Sequence, residues 1–181
     1  MRKQFQFENE IEDVIIVGIG SGLDFLSWYS NRYNNYTTTV SIAEDEKRKK
    51  KMVNSKERIN LEEQLNFLNP LKPRSPPFLN KNYKTNADRG ITGHSLGGLF
   101  TAYCLINSDG YFTRFGIGSP SFCWDNEKVL NQAVAQFTEN KIWDLPQTKV
   151  FISVGDQEEE IVPMTLKCSS SLENKGYYKK K

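Results

Sequence analysis

The chain has 181 residues, a length that suits one domain and leaves little room for two. Hydrophobic residues make up 38% and charged residues 25%, with 11 Phe, 8 Tyr and 3 Trp, which excludes a disordered chain. The 24 basic and 22 acidic residues leave a formal charge of +2, so neither nucleic acid nor an acidic membrane is expected as a partner.

No apolar run approaches the ~20 residues that cross a bilayer, and the opening MRKQFQFENE lacks the apolar stretch of a secretory signal. We therefore expect no membrane association and a cytoplasmic location. Cys104, Cys123 and Cys168 have no C-x-x-C spacing, so neither a disulfide framework nor a zinc site is indicated. We expect no metal and no cofactor, and the oligomeric state stays open.

The first predicted element is the apolar, β-branched run VIIVGIG at residues 14–20, which is typical of a strand buried on both faces. A loop or a short helix follows it. The lysine-rich residues 41–58 predict a solvated loop or helix face, and 59–68 have apolar side chains at helical spacing before a proline-rich break. We interpret 41–81 as a divergent insertion or loop region within a single domain over 1–181.

The second half of the chain alternates short strand-like runs, which end in turn residues, with helical patterns. Strands are predicted at residues 14–19, 90–94, 114–118 and 149–154. Helices are predicted after three of them, near 97–108, 126–140 and 161–175, with Pro163 in the first turn of the last. This order predicts a parallel sheet with helices on both faces. Because four strands are few for such a sheet, we also expect an exposed sheet edge.

The sequence GHSLGG contains a G-x-S-x-G motif formed by Gly93, Ser95 and Gly97. A serine on a tight strand-to-helix turn has a strained backbone, and the residues two positions away must lack side chains for the turn to close. The backbone N–H of Leu96 then supplies half of an oxyanion hole. Gly98 lets the following helix pack close to the strand. The motif predicts a nucleophile elbow.

The segment ITGHSLGGLFTAYCLINSDGYFTRFGIGSPSFCWDNEKVL resembles the putative-esterase branch of the α/β-hydrolase superfamily, which includes esterase D and siderophore-ester hydrolases. The resemblance implies an α/β-hydrolase-like three-layer sandwich with a mostly parallel sheet. It also implies that Ser95 attacks the carbonyl of a small-molecule ester. The family places an acidic residue after the strand KVFISVG, where Asp156 is our first candidate and Glu158 or Glu159 the alternative.

The base of such enzymes is a histidine near the carboxyl terminus, and the one histidine of this chain, His94, precedes the serine. Neighbouring residues of a strand point to opposite faces, so we expect His94 to be a buried packing residue. The resemblance implies a chain that is incomplete at both ends, with the histidine about 15–25 residues beyond Lys181. The function expected is serine-esterase chemistry without its base; the alternatives are a non-catalytic relative that binds ligands and an acyltransferase.

Four aromatic residues leave two interpretations open. They follow predicted strands: Trp28, Tyr29, Phe122 and Trp124. Their side chains either line a pocket for an acyl or aryl group or pack under loops. Cys104 is predicted to lie in the core, behind the elbow.

Overall fold

The computed structural model describes residues 14–18, 31–33, 35–39, 41–43, 46, 80–107, 109–138 and 148–173. Within them, strands and helices alternate in the order β1 (Gly90–His94), α1 (Leu96–Asn107), β2 (Arg114–Gly118), α2 (Lys128–Thr138), β3 (Lys149–Ser153) and α3 (Val162–Glu173). The alternation confirms the predicted α/β fold class, and each of these elements ends within two residues of its predicted bounds.

The three strands form one parallel sheet in the order β1-β2-β3. Gly93 lies opposite Ile117, and Ile117 lies opposite Ile152. A parallel pair requires a crossover connection, and α1 and α2 lie within the two crossovers. The carboxyl ends of all three strands therefore meet at one edge of the sheet, marked by His94, Gly118 and Ser153.

One face of the sheet carries the apolar core. Alternate residues of each strand point to this face, and α1 packs against β1 and β2. Helix α2 is amphipathic and buries its apolar stripe in the same cluster, to which α3 also contributes. Each fully buried large apolar side chain stabilises the fold by about 1.5–3 kcal/mol. The residues buried from the strands and α2 are Phe115, Ile117, Val129, Leu130, Ala133 and Phe137.

The opposite face of the sheet is open in the described part of the chain. Thr92, Gly116 and Phe151 lie side by side on it, and Phe151 is 69% exposed. Helices on both faces of the sheet were predicted, but in the described residues α1, α2 and α3 all contribute to the core cluster on one face. Right-handed crossovers that advance in one direction along a sheet place successive helices on the same side. The described residues thus supply two layers of the predicted sandwich.

The strand predicted at 14–19 is wrong for the residues that the structure describes. Residues 14–18 form no strand, and Ile16 is 89% exposed. A β-branched run suits a strand, but it becomes one only where a neighbouring backbone pairs with it. In the described ranges, β1 and β3 each pair on one side, which agrees with the expected exposed sheet edge.

The amino-terminal half is described in short pieces. Residues 31–33 and 35–36 are helical, in agreement with the short helix allowed there, and 41–43 include a further helical turn. The helix predicted at 59–68 lies outside the described residues. Among the helices that the structure describes, none has the length and apolar character needed to cross a membrane.

Candidate functional site

Ser95 occupies the turn between β1 and α1, at the carboxyl edge of the sheet. Its backbone φ is 60°, in the left-handed region that costs an L-residue roughly 1–2 kcal/mol. The Ser95 amide donates to the carbonyl oxygen of Gly118 at 3.1 Å, and the Leu99 amide donates to the Ser95 carbonyl at 2.9 Å. The turn is therefore fixed on both sides, and backbone strain of this kind clusters at functional sites.

The glycines around Ser95 contribute unequally to the turn. A Cβ on Gly93 would stand 2.3 Å from the carbonyl oxygen of Gly97, and one on Gly98 would stand 2.5 Å from that of Gly118. A Cβ on Gly97 would meet nothing within 4 Å. The expectation that both motif glycines must lack side chains is therefore wrong for Gly97. The backbone of Gly97 leaves no room for a side chain at Gly93, but Gly97 itself has room for a Cβ. Gly98 allows close contact with the end of β2.

Helix α1 begins at Leu96, immediately after the serine. The first amides of a helix have no carbonyl partner within it, and they carry the positive end of the helix dipole. A negative charge that develops on a carbonyl oxygen beside Ser95 would meet these amides. The placement of Leu96 suits the predicted oxyanion role, which stays a prediction.

The hydroxyl of Ser95 contacts a second serine that the sequence analysis did not single out. Ser95 Oγ lies 3.2 Å from Ser121 Oγ, and the Ser121 amide donates to the Ser95 carbonyl at 3.1 Å. Ser121 belongs to the segment Ser119-Pro120-Ser121, which follows β2. The available signal was position, since two hydroxyl-bearing residues come directly after a strand whose carboxyl end lies beside the elbow.

Glu158 is the acidic residue that the structure brings to this edge. Its Oε2 atom accepts a hydrogen bond from Ser119 Oγ at 2.5 Å and another from the Gly155 amide at 2.8 Å. These two hydrogen bonds, the Ser119 bond foremost, hold the pKa of Glu158 below its usual value, and the charge of His94 adds to the effect. Asp156, in the same loop, is exposed.

His94 is exposed, so its predicted buried position is wrong. The prediction assumed a covered face behind the strand. His94 instead lies on the face that is open in the described residues, and its Cδ2 atom is 3.6 Å from the position that a Cβ on Gly118 would take. The hydroxyl of Ser95 contacts Ser121 and the structure does not pair it with the imidazole.

The aromatic residues after β2 belong to the core. Phe122 is completely buried and Trp124 is 4% exposed, with its indole N–H donating to the Thr39 carbonyl at 2.9 Å. Ordinary packing is thus the correct interpretation for these two, whereas Trp28 and Tyr29 lie outside the described residues.

The three cysteines have different surroundings. Cys104 is buried in α1, as predicted, and Cys123 is exposed. Burial raises the pKa of Cys168 to about 12, which disfavours its reactive thiolate.

A separate cavity of about 480 Å³ lies before the amino end of β1, at the edge of the sheet opposite Ser95. It is lined by Asn80, Tyr83, Lys84, Thr85, Asn86 and Arg89. Its position separates it from the serine, so it takes no part in this site.

The family model described as "Putative esterase" matches residues 3–171. The chain belongs to the putative esterase family. The matched range runs through residues 41–81, which the sequence analysis interpreted as divergent.

Among solved structures, this member of the family is similar to the BES protein from Bacillus cereus. The identity is 25% and the TM-score 0.59; the match covers 78% of this chain and 50% of that one. The chain therefore spans half the length of the solved relative. No match is found among curated proteins.

Proposed function

We propose that this protein is a serine hydrolase of the carboxylic-ester type and that Ser95 is its nucleophile. The observation that carries the proposal is the left-handed backbone of Ser95 at the junction of β1 and α1. Such a turn presents the hydroxyl above the carboxyl edge of the sheet, in front of the helix amides. Membership of the putative esterase family supports the same chemistry.

The proposed reaction follows from these positions. Ser95 Oγ attacks the carbonyl carbon of a small-molecule ester, the alcohol leaves, and water then hydrolyses the acyl-enzyme. The Leu96 N–H stabilises the oxyanion of each tetrahedral intermediate. Among the acidic candidates, we propose Glu158 ahead of Asp156, because Glu158 is already held by hydrogen bonds at the carboxyl edge of the sheet.

Removal of the proton from the Ser95 hydroxyl limits the rate of ester hydrolysis. General acid–base catalysis contributes about 10²–10⁴-fold, and the contact of the Ser95 hydroxyl is another hydroxyl, that of Ser121. Without an imidazole in contact, the serine stays protonated. We therefore expect ester hydrolysis by this 181-residue chain to be slower than that of a complete triad by at least that factor, because the members of a triad act as a unit.

A fluorophosphonate probe tests the nucleophile. We expect slow, single-site labelling of the chain that is abolished in Ser95→Ala, because the probe forms a covalent bond to a serine held beside helix amides. Intact-mass spectrometry would give the stoichiometry, and peptide mapping would give the site.

Ser170→Ala is the matched control, since Ser170 is an exposed serine on α3. It should label at the rate of the unmodified chain. Labelling that survives Ser95→Ala would contradict the assignment of the nucleophile. A chain that takes no label over hours would favour the non-catalytic relative that binds ligands.

The hydrogen bonding that favours Glu158 over Asp156 is tested by comparing Glu158→Gln with Asp156→Asn in thermal unfolding across pH. Because the pKa of Glu158 is lowered in the folded state, its carboxylate stabilises the fold above the usual glutamate pKa. That contribution disappears as pH falls through the lowered value. We expect Glu158→Gln to lower the melting temperature at pH 7 and to match the unmodified chain in strong acid.

Asp156→Asn should change the free energy of unfolding at pH 7 by no more than about 0.5 kcal/mol, as exposed substitutions usually do. If Asp156→Asn instead shows the pH-dependent loss and Glu158→Gln does not, the hydrogen bonds no longer favour Glu158, and Asp156 again becomes the first candidate for the acid.

A further inference from the structure

The segment Ser119-Pro120-Ser121 lies between Ser95 and Glu158 because it follows β2, the central strand. On the β1 side it makes two contacts with the serine of the elbow. The Ser121 amide donates to the Ser95 carbonyl at 3.1 Å, and the two Oγ atoms lie 3.2 Å apart. A serine hydroxyl can donate and accept at once, so Ser121 is able to orient the Ser95 hydroxyl.

On the β3 side the same segment makes two further contacts. The Ser119 amide donates to the carbonyl oxygen of Ser153 at 2.8 Å, and Ser119 Oγ donates to Glu158 Oε2 at 2.5 Å. Ser119 is 7% exposed, so water competes little for its hydroxyl. Hydrogen bonds to a charged acceptor are stronger than bonds between neutral groups.

The segment Ser119-Pro120-Ser121 is held rigidly, so it can fix the positions of the groups that it contacts. Ser119 has a φ of 37°, Pro120 is fully buried, and the Phe122 side chain that follows is fixed in the core. Gly98 packs closely against the segment, because a Cβ on Gly98 would stand 3.1 Å from the Cα of Pro120. A segment with a buried proline and a buried aromatic anchor has little freedom to shift.

We propose that this segment positions both halves of the site, with Ser121 orienting the nucleophilic hydroxyl and Ser119 holding the Glu158 carboxylate. The inference rests on the proposed function, in which Ser95 is the nucleophile and Glu158 is the acidic residue of the site. Ser119 and Ser121 are positioning residues, because each acts through the group that it contacts.

Ser119→Gly tests the carboxylate half. Glycine accepts a positive φ without strain, so this variant removes the hydroxyl and leaves the turn intact. The readout is the titration of the Glu158 carboxyl carbon by NMR, in protein labelled at glutamate. We expect the pKa of Glu158 to rise toward its usual value, because the largest cause of its lowering is the Ser119 hydrogen bond.

The matched control is Asp109→Gly. Asp109 also has a positive φ, 51°, but it lies between α1 and β2, at the far edge of the sheet. This variant should leave the Glu158 titration unchanged. An unchanged titration in Ser119→Gly as well would overturn the carboxylate half of the proposal.

Ser121→Ala and Ser121→Thr test the nucleophile half. We expect the fluorophosphonate rate at Ser95 to fall about 2- to 10-fold in Ser121→Ala, the range that one hydrogen bond accounts for. Ser121→Thr keeps a hydroxyl and should restore most of the rate. Equal rates in all three proteins, or a Thr variant as slow as Ala, would overturn this half.

The outcomes separate this inference from the proposed function. If the unmodified chain takes no label, the proposed function fails, and the Glu158 titration alone decides whether Ser119 holds the carboxylate. If Ser95 labels and the Ser119 and Ser121 variants behave like the unmodified chain, the proposed function stands and the positioning role fails.

Discussion

Gly93→Ala should destabilise the chain by about 3 kcal/mol or more, among the largest effects of any single substitution in the described residues. The new Cβ would stand 2.3 Å from the carbonyl oxygen of Gly97 and 2.4 Å from its carbonyl carbon. Both obstacles are backbone atoms of the first helical turn, so a side-chain rotation cannot relieve them. The turn would have to open, and the hydroxyl of Ser95 would move with it.

Thermal unfolding followed by circular dichroism measures this effect. For a chain of this length, a loss of about 3 kcal/mol lowers the melting temperature by roughly 6–12 °C. Fluorophosphonate labelling of Ser95 should fall in parallel at temperatures where the variant is still folded, because the strained turn orients the nucleophile.

Gly97→Ala is the matched control, two residues from Ser95 on the other side. Its Cβ would meet nothing within 4 Å, and alanine favours a helix over glycine by up to about 1 kcal/mol. We expect unchanged or slightly increased stability. Equal destabilisation by both substitutions would contradict the geometry of the turn.

The contrast between these glycines shows what the sequence could and could not predict. The G-x-S-x-G spacing predicts a tight turn, and Ser95 indeed lies between β1 and α1 with a positive φ. The pattern treats its two glycines alike. Only the three-dimensional structure shows that a Cβ on Gly93 would overlap the backbone of Gly97, because that distance depends on the path of the chain through the turn.

Elements with strong local signals were predictable, and elements that depend on a partner were not. The strands β1 to β3 follow from short runs that end in turn residues, and the amphipathic α2 follows from helical spacing. Residues 14–18 have the same local signal as a buried strand, yet Ile16 is 89% exposed. The wrong prediction for His94 has the same cause. Its burial would require a covered sheet face, and that face is open in the described residues.

The acidic residue illustrates a third limit. The position after β3 limits the candidates for the acidic residue to one loop. Within that loop, the shorter distance from the strand along the sequence favours Asp156, whereas the hydrogen bonds in the structure favour Glu158. The deciding partner, Ser119, lies 39 residues away along the chain. Contacts across parallel strands join residues distant in sequence, and no local pattern encodes them.

Phe122→Ala should cost about 3–5 kcal/mol, the usual range for truncating a fully buried phenylalanine. The side chain belongs to the core cluster that includes residues of α1 and α2, and its loss leaves a cavity that the close-packed surroundings fill only in part. The sequence left a second interpretation open, in which this residue lines an acyl pocket. That interpretation predicts a small loss of stability with a changed preference among esters.

Phe151→Ala is the matched control, because it removes the same atoms from a residue that is 69% exposed. We expect a loss below about 1 kcal/mol, mostly from the lower strand preference of alanine. Urea unfolding of both variants gives the two free energies, and an unchanged slope with denaturant shows that the folded states are comparable.

Phe122 also follows directly after Ser121, so its truncation tests how the site depends on the core. The Phe122 amide donates to the Pro120 carbonyl at 2.7 Å, and the Trp124 amide donates to that of Ser121 at 3.0 Å. If core packing fixes this segment, labelling of Ser95 in the folded Phe122→Ala variant should slow, while Phe151→Ala labels normally. A Phe122→Ala variant as stable as Phe151→Ala would contradict the core assignment and return Phe122 to the pocket.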